Sequence, residues 1–449
     1  MGERGKVEWG RYGRRPAALL AAVSLIDAVD RSILPGVLTK VQDDMGFSDT
    51  QAGLLSTAAV VAGFLVVLPA GYVADRFNRT RLIAVVMLSW GAVSALNATV
   101  RSYWQFAGVR AVLGAGEMID NPASSALIAD YYAPEVRGRA FGLQRVAPLI
   151  GGPIGIGLGA LVASVWGWRS AFLVVGLPGS LLALAVSRLP EPRRGEADHP
   201  APMREPGREP PPVAVPASGV AALRADVGLV LRIPTLRALM VGLAISSGAT
   251  QGMAFWAPAF YERHTGLGDS GGAGAAAGMI LVGALLGTWV GATTVDRLRA
   301  RYEGAPMLFA GTTSIIGGAA LWTSFLPVPI WYLIPMQVIG VAGVVAGLPG
   351  LAVMAAEVVP STLRGIAFSA ITFLATVVAA TSPPLVGFIA DRFAITIDGE
   401  LQGHLANAFL VVTPLVCLSG LVVLRGRRHV LADTAAAHRA ARASVPDLL

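Results

Sequence analysis

Cysteine is nearly missing from this sequence: Cys417 stands alone in an apolar run, so no intrachain disulfide can form and redox compartment leaves no mark. Lysine is almost as scarce, with only Lys6 and Lys40, which leaves no G-x-x-x-x-G-K phosphate loop. Any pumping must therefore draw on an ion gradient or on another subunit. The five histidines, His199, His264, His404, His429 and His438, are scattered without metal-ligand spacing. No Ser-His-Asp set has an element to hold it, and no nucleophile stands beside a base, so an enzyme is not expected. Charged residues make up 14% of the chain, against about 25% in soluble proteins. A net charge of +7 raises the question of nucleic acid, but no basic stripe is interleaved with aromatics.

Long apolar runs dominate instead, with 54% hydrophobic residues and 53 glycines. A window of about 20 residues picks out spans near 16–40, 49–74, 81–100, 103–132, 138–165 and 169–189. A second set falls near 234–262, 272–295, 306–326, 329–357, 362–390 and 403–425. The expected fold is an all-α membrane protein of twelve transmembrane helices in two pseudo-symmetric six-helix bundles. The first bundle covers 1–190, a cytoplasmic linker 191–228, the second bundle 229–430 and a polar tail 431–449. The linker is dense in Pro, Arg and Glu, a composition that favours a flexible, partly extended chain.

The first run follows Arg11, Arg14 and Arg15 in the manner of a signal peptide. It is too long, it contains Asp27, Asp30 and Arg31, and it lacks a small-residue cleavage site, so it reads as a retained first span. With the N-terminus inside, the outer segments hold only Lys40, Arg101, Arg169, Arg263 and Arg392, while most of the 35 basic residues lie inside. That bias places both termini and the linker in the cytoplasm. An Arg-rich, Lys-poor chain of this kind is expected in a bacterial inner membrane, as a monomer in the lipid bilayer, without nucleic acid.

Seven charges interrupt the apolar runs of the first half: Asp27, Asp30, Arg31, Arg110, Glu117, Asp120 and Arg145. At about 3 kcal/mol per charge at a helix centre, lipid exposure of all seven would cost about 20 kcal/mol, more than the ~5 to 15 that holds a fold together. They must face a shared polar interior. Helical spacing places Asp27, Asp30, Arg31 and Leu34 on one face of span one, and Arg110, Gly114, Glu117 and Asn121 on one face of span four. Arg110 and Glu117 lie about 10 Å apart along the axis, so they bracket a site more naturally than they satisfy each other. A carboxylate in such a cavity takes up a proton when poorly hydrated and releases it when an arginine approaches.

Spans seven to twelve carry no ionisable residue well inside the membrane. Their candidate cavity-lining residues are Gln251, Phe255, Trp256, Gln337, Thr372 and Phe373, for which ordinary helix packing is an equal reading. Glycines spaced by four, Gly151, Gly155 and Gly159 in span five and Gly283, Gly287 and Gly291 in span eight, form small-residue faces that let backbones approach closely.

The halves repeat one another. Ala129 to Phe141 reads ADYYAPEVRGRAF, and Ala356 to Phe368 reads AEVVPSTLRGIAF. Ala74-Asp75-Arg76-Phe77 after span two has a counterpart in Val295-Asp296-Arg297-Leu298 after span eight. Parallel six-span repeats place a substrate site between halves near the membrane middle.

On these residues the chain resembles the major facilitator superfamily. Gly71 to Arg81, GYVADRFNRTR, matches its G-x-x-x-D-R-x-x-R-x-R loop, and Arg110 to Glu117, RAVLGAGE, matches its R-x-x-x-G-x-G signature. Within it, the D-x-x-D-R of span one, the GLLSTAAVVAGFLVVLPAGYVADRFNR of span two and the Gly116-Glu117 pair resemble Spinster-like lipid transporters. The resemblance implies a conformational latch at Gly71, Asp75, Arg76, Arg79 and Arg81, and it implies that spans five and eight meet at the bundle boundary. It assigns proton coupling to Asp30 and Glu117, with Arg31 and Arg110 as charge partners or headgroup anchors. Asp27, Asp120 and Arg145 depart from the usual pattern, and an Asp120–Arg145 pair between spans four and five is expected. The implied activity is proton-coupled transport of an amphipathic anionic lipid, a lysophospholipid or sphingolipid-like molecule, with protons as the coupling ion and no other cofactor. Export of small organic anions or drugs is the alternative, and a non-transporting receptor or scaffold a third.

Overall fold

The computed structural model describes residues 9–193, 196–197, 220–299, 301–360, 363–397 and 400–443. Its helices in chain order are α1 (Arg15–Met45), α2 (Asp49–Arg76), α3 (Arg79–Leu96), α4 (Tyr103–Tyr131), α5 (Pro134–Trp166) and α6 (Trp168–Ser187). Then come α7 (Val220–Val230), α8 (Pro234–His264), α9 (Gly268–Arg299), α10 (Ala305–Ser324), α11 (Ile330–Glu357) and α12 (Arg364–Arg392). A small antiparallel pair, β1 (Ile395–Ile397) and β2 (Glu400–Gln402), leads to α13 (Leu405–Val412), α14 (Pro414–Gly426) and α15 (Val430–Ala443).

Among the described residues, 10 helical segments are long and apolar enough to cross a membrane. Helices α1 and α4 match them in length and carry the intramembrane charges, which is why apolarity alone does not count them. Two elements depart from the expected plan. The end of the linker is helical from Val220, where its apolar Val-Ala-Ala-Leu run replaces the Pro-rich composition. The last expected span is broken at Thr413-Pro414, because Pro414 has no N–H to continue the ladder while the Thr413 hydroxyl donates to the Phe409 carbonyl at 2.6 Å.

Local chemistry sets the helix ends. Gly46 takes a left-handed φ of 69° and donates to the Gln42 carbonyl at 2.7 Å, closing α1. Asn78 caps α3 by accepting from Arg81 N at 2.9 Å, and Ser102 caps α4.

The residues fall into two compact units, 1–47, 54–211 and 261–277 in one and 48–53, 212–260 and 278–449 in the other. In the first, Leu20, Ile83, Leu127, Tyr132 and Val186 form a core. Leu236, Met307, Met354, Ile371 and Val423 do the same in the second.

The glycine faces pack inside each unit. A methyl group at Gly151 or Gly155 would run into the backbone of α1 at Leu25 or Val29, so α5 lies directly on α1. Gly287 and Gly291 lie likewise on the α11 backbone at Ala342 and Ala346. Each stripe is thus occupied by a helix of its own unit.

Candidate functional site

In the first unit the buried charges divide into two groups. Asp27 and Arg31, one helical turn apart on α1, form an ion pair and line a polar cavity of 310 Å³. Asp120 on α4 and Gln144 and Arg145 on α5 complete its charged and amide lining, with Ser24 and Ser125 beside them. Asp120 accepts from Ser124 at 3.1 Å. Arg145 is exposed to the cavity, and among the described residues no carboxylate pairs with it. The expected Asp120–Arg145 pair is therefore not formed; both side chains face the same space, and Asp120 satisfies itself on its own helix. The result is a carboxylate pair and a guanidinium pair around one polar volume, able to hold an anion against Arg145 while Arg31 stays neutralised by Asp27.

Asp30 lies elsewhere. It is 2% exposed and accepts from the Ser94 hydroxyl of α3, in a pocket of only 10 Å³ shared with Trp90 and Gly179. Arg110, buried on α4, supplies the opposing charge. The single face expected for Asp27, Asp30 and Arg31 is therefore split: consecutive residues turn by about 100°, so Asp30 and Arg31 point to different neighbours. The side chains of Gly71, Asp75, Arg76, Glu117 and Asn121 lie outside the described residues.

The glycine signature of α4 has a packing reason. Gly114 rests on the α2 backbone at Ala59, where any Cβ would collide. Without that approach α4 could not seat against α2.

At the start of α3, Arg79 is 4% exposed and binds three acceptors. Its guanidinium pairs with Asp130 of α4, donates to Glu191 at 2.9 Å and reaches the Pro192 carbonyl at 3.2 Å. Glu191 also accepts from Arg79 N and Thr80 N at 3.2 and 3.0 Å, so it caps α3 from the segment that follows α6. Burial pushes the Glu191 carboxyl up, but hydrogen bonds from Thr80 and Arg79 outweigh it and leave it below the ordinary carboxylate range. Arg81 is exposed. Sequence reasoning missed Glu191 and Asp130 as partners of Arg79, although Asp130 is the acidic residue of the internal repeat. Its counterpart in the repeat, Glu357, pairs with Arg299 of α9; in the Asp75/Asp296 register Arg299 stands opposite Asn78 and not Arg79, so the acidic residue recurs while its cation does not.

In the second unit, a 250 Å³ cavity is bounded by α8, α9, α10, α11 and α13. Of the six residues expected to line a cavity, Gln337 does so. Trp256 is fully buried, donates from its indole to the Pro383 carbonyl at 2.9 Å and packs against Phe255, so both belong to the helix interface. Gln251, Thr372 and Phe373 are exposed side chains that do not enter it.

Long apolar helices around a charged internal cavity define an integral membrane protein. The family model of the Major Facilitator Superfamily matches residues 20–383, and the chain belongs to that superfamily. The fold matches a crystal structure of a bacterial homolog to the human lysosomal transporter Spinster with a TM-score of 0.76 at 20% identity, covering 94% of this chain and 97% of that one. In sequence, it is 27% identical over 251 residues to protein spinster homolog 3 of Danio rerio, covering 55% of this chain and 47% of that protein. It is 30% identical over 196 residues to the sphingosine-1-phosphate transporter SPNS2 of Danio rerio, covering 41% of this chain and 37% of that protein. A probable L-galactonate transporter of Escherichia coli is 30% identical over 166 residues, 37% of each chain. The chain thus spans about half the length, or less, of these curated relatives.

Proposed function

We propose that the protein is a proton-coupled secondary transporter that moves an amphipathic anionic lipid, a lysophospholipid or sphingolipid-like molecule, by alternating access. The observation that carries this reading is the 310 Å³ cavity lined by Asp27, Arg31, Asp120 and Arg145, charges that a membrane protein keeps for pathways. Arg145 is the anion anchor, since Arg31 is neutralised by Asp27. Proton exchange is assigned to Asp30 and Glu117, with Arg110 as the charge that discharges Asp30. The similarity to Spinster proteins, among them a sphingosine-1-phosphate transporter, supports a lipid cargo.

A second reading, a carrier of small organic anions, is favoured by the similarity to the probable L-galactonate transporter and by the polarity of the same cavity. One experiment separates them. Proteoliposomes are loaded with labelled lysolipid or labelled sugar acid under an imposed pH gradient, using wild type and Glu117→Gln. Gradient-driven lysolipid flux that falls at least tenfold in Glu117→Gln supports the proposal. Unchanged, gradient-independent lysolipid flux refutes it, and flux of the sugar acid alone selects the second reading.

A further inference from the structure

Three exposed arginines surround one helix contact in the second unit. Helix α14 lies on α8 through glycines: Gly426 meets Ala238, and Gly242 meets Val423. Arg425 stands beside Gly426 and Arg237 beside Ala238, and both side chains are exposed. Arg428, also exposed, follows one turn after Arg425. Among the described residues none of the three forms an ion pair. Asp433, the next acid along the chain, is committed elsewhere, since it accepts from Thr235 N at 2.9 Å at the start of α8. Arg427 turns the other way, its stem lying over Gly304. Guanidiniums gathered at one seam repel one another, and an anion placed among them removes that cost.

The face that carries Arg425 and Arg428 identifies the source of that anion. Leu415, Leu418 and Leu421 are exposed on α14, and together with Arg425 and Arg428 they recur every three or four residues, the period of one helix face. In a membrane span such a face touches acyl chains. The expected last span ends at Arg425, so the arginines stand where the same face reaches the headgroups. Arg425 lies about 6 Å along the axis from Leu421, and an arginine stem rests on apolar surface while its charged end stays in the polar layer. We infer that this seam holds an anionic phospholipid on the outside of the second unit, its phosphate bound by Arg237, Arg425 and Arg428. Such a lipid is a resident of the membrane face and not cargo in the polar cavity of the first unit. A zwitterionic headgroup fits less well, because it adds an ammonium to three guanidiniums, whereas the glycerol headgroup of phosphatidylglycerol adds only hydroxyls. A soluble phosphate carries the charge but has nothing to lay along the leucines.

The test is retention of diacyl lipid by the full-length protein in detergent, read by native mass spectrometry. Dioleoyl phosphatidylglycerol and dioleoyl phosphatidylcholine compete as probes. Wild type is expected to retain phosphatidylglycerol about tenfold over phosphatidylcholine, a ratio that one to two arginines at a headgroup supply. Arg425→Gln/Arg428→Gln should bring that ratio below twofold. A charge-matched control, Arg188→Gln/Arg301→Gln, changes two exposed arginines away from the seam and should keep it. Thermal unfolding gives a second readout: added phosphatidylglycerol should raise the midpoint of wild type and control, but not that of the seam variant, whose own cooperative transition shows that it folds. Equal retention of the two lipids by wild type overturns the inference, as does a preference that survives in the seam variant or disappears in the control. Displacement by millimolar glycerol phosphate would assign the seam to a soluble anion, and loss of the preference in Arg145→Gln would put the lipid in the polar cavity; either result also overturns it. Failure of lysolipid transport would leave this site standing, because nothing in it depends on the cargo.

Discussion

The two units carry cavities of similar size and opposite character. In the first, α1, α4 and α5 bring two carboxylates and two guanidiniums to one volume; in the second, α8 and α11 bring aliphatic and aromatic walls whose polar groups, Ser246, Ser247, Thr250 and Gln337, are all uncharged. The two units thus differ in the chemistry they enclose. The retained part is the repeated acidic residue, which holds an arginine in each: Arg79–Asp130 in the first unit and Arg299–Glu357 in the second. Even these differ in burial, since the Arg79 side chain is 4% exposed and that of Arg299 is 53% exposed.

The largest expected effect comes from breaking the more buried of these two ion pairs. Arg79→Leu leaves Asp130 and Glu191 without their cation and should cost about 3 to 5 kcal/mol, whereas Arg299→Leu should cost no more than about 1 kcal/mol because its pair is solvent-screened. Denaturant unfolding in detergent measures both, and equal losses would erase the distinction. Next in size, Gly155→Leu should destabilise by about 3 kcal/mol, since the new side chain meets the α1 backbone at Val29 and not a movable rotamer. Thermal unfolding of the purified variant reads this out; a wild-type midpoint would mean that α1 and α5 are not in close approach.

A smaller effect, of about 1.5 to 3 kcal/mol, should follow Arg145→Gln, which removes a charge-assisted contact to an anionic headgroup. Binding of lysophosphatidylglycerol should weaken at least tenfold while a neutral monoacylglycerol binds as before. Equal weakening of both would remove the headgroup role. The smallest concerns pH. Glu191 is held below its ordinary range in the folded state, so its contribution to the α3 cap is complete above the unfolded carboxylate value and is lost as pH falls through the folded one. Amide exchange at Thr80, corrected for intrinsic rate, should therefore accelerate only under distinctly acidic conditions; acceleration near neutrality would contradict the capping geometry.

Much of the fold was legible because membrane spans are written in long apolar runs, and eleven of the twelve expected spans coincide with single helices to within a few residues. The twelfth is split at Pro414 by the missing backbone donor. Less of the site was legible. Period and charge identified Asp27, Arg31, Asp120 and Arg145 as interior residues. They did not say that Asp30 turns to Ser94 in a dry pocket, because a helical face is wide enough to include residues that meet different neighbours. Trp256 looked like a cavity wall by type, yet its indole is committed to the Pro383 carbonyl. Glu191 was hidden in a Pro-rich stretch whose composition signals flexible chain, while its role depends on where the end of α6 returns to the start of α3.

By itself the sequence determined the membrane class, the repeat, the confinement of charge to the first half and the apolar nature of the second, since each follows from transfer energies that every residue carries with it. Tertiary structure alone decided which charges share a cavity and which are sealed away, which glycines touch which backbones, and which arginines gather at one seam. Those depend on distances between helices far apart in the chain, and no local pattern records them.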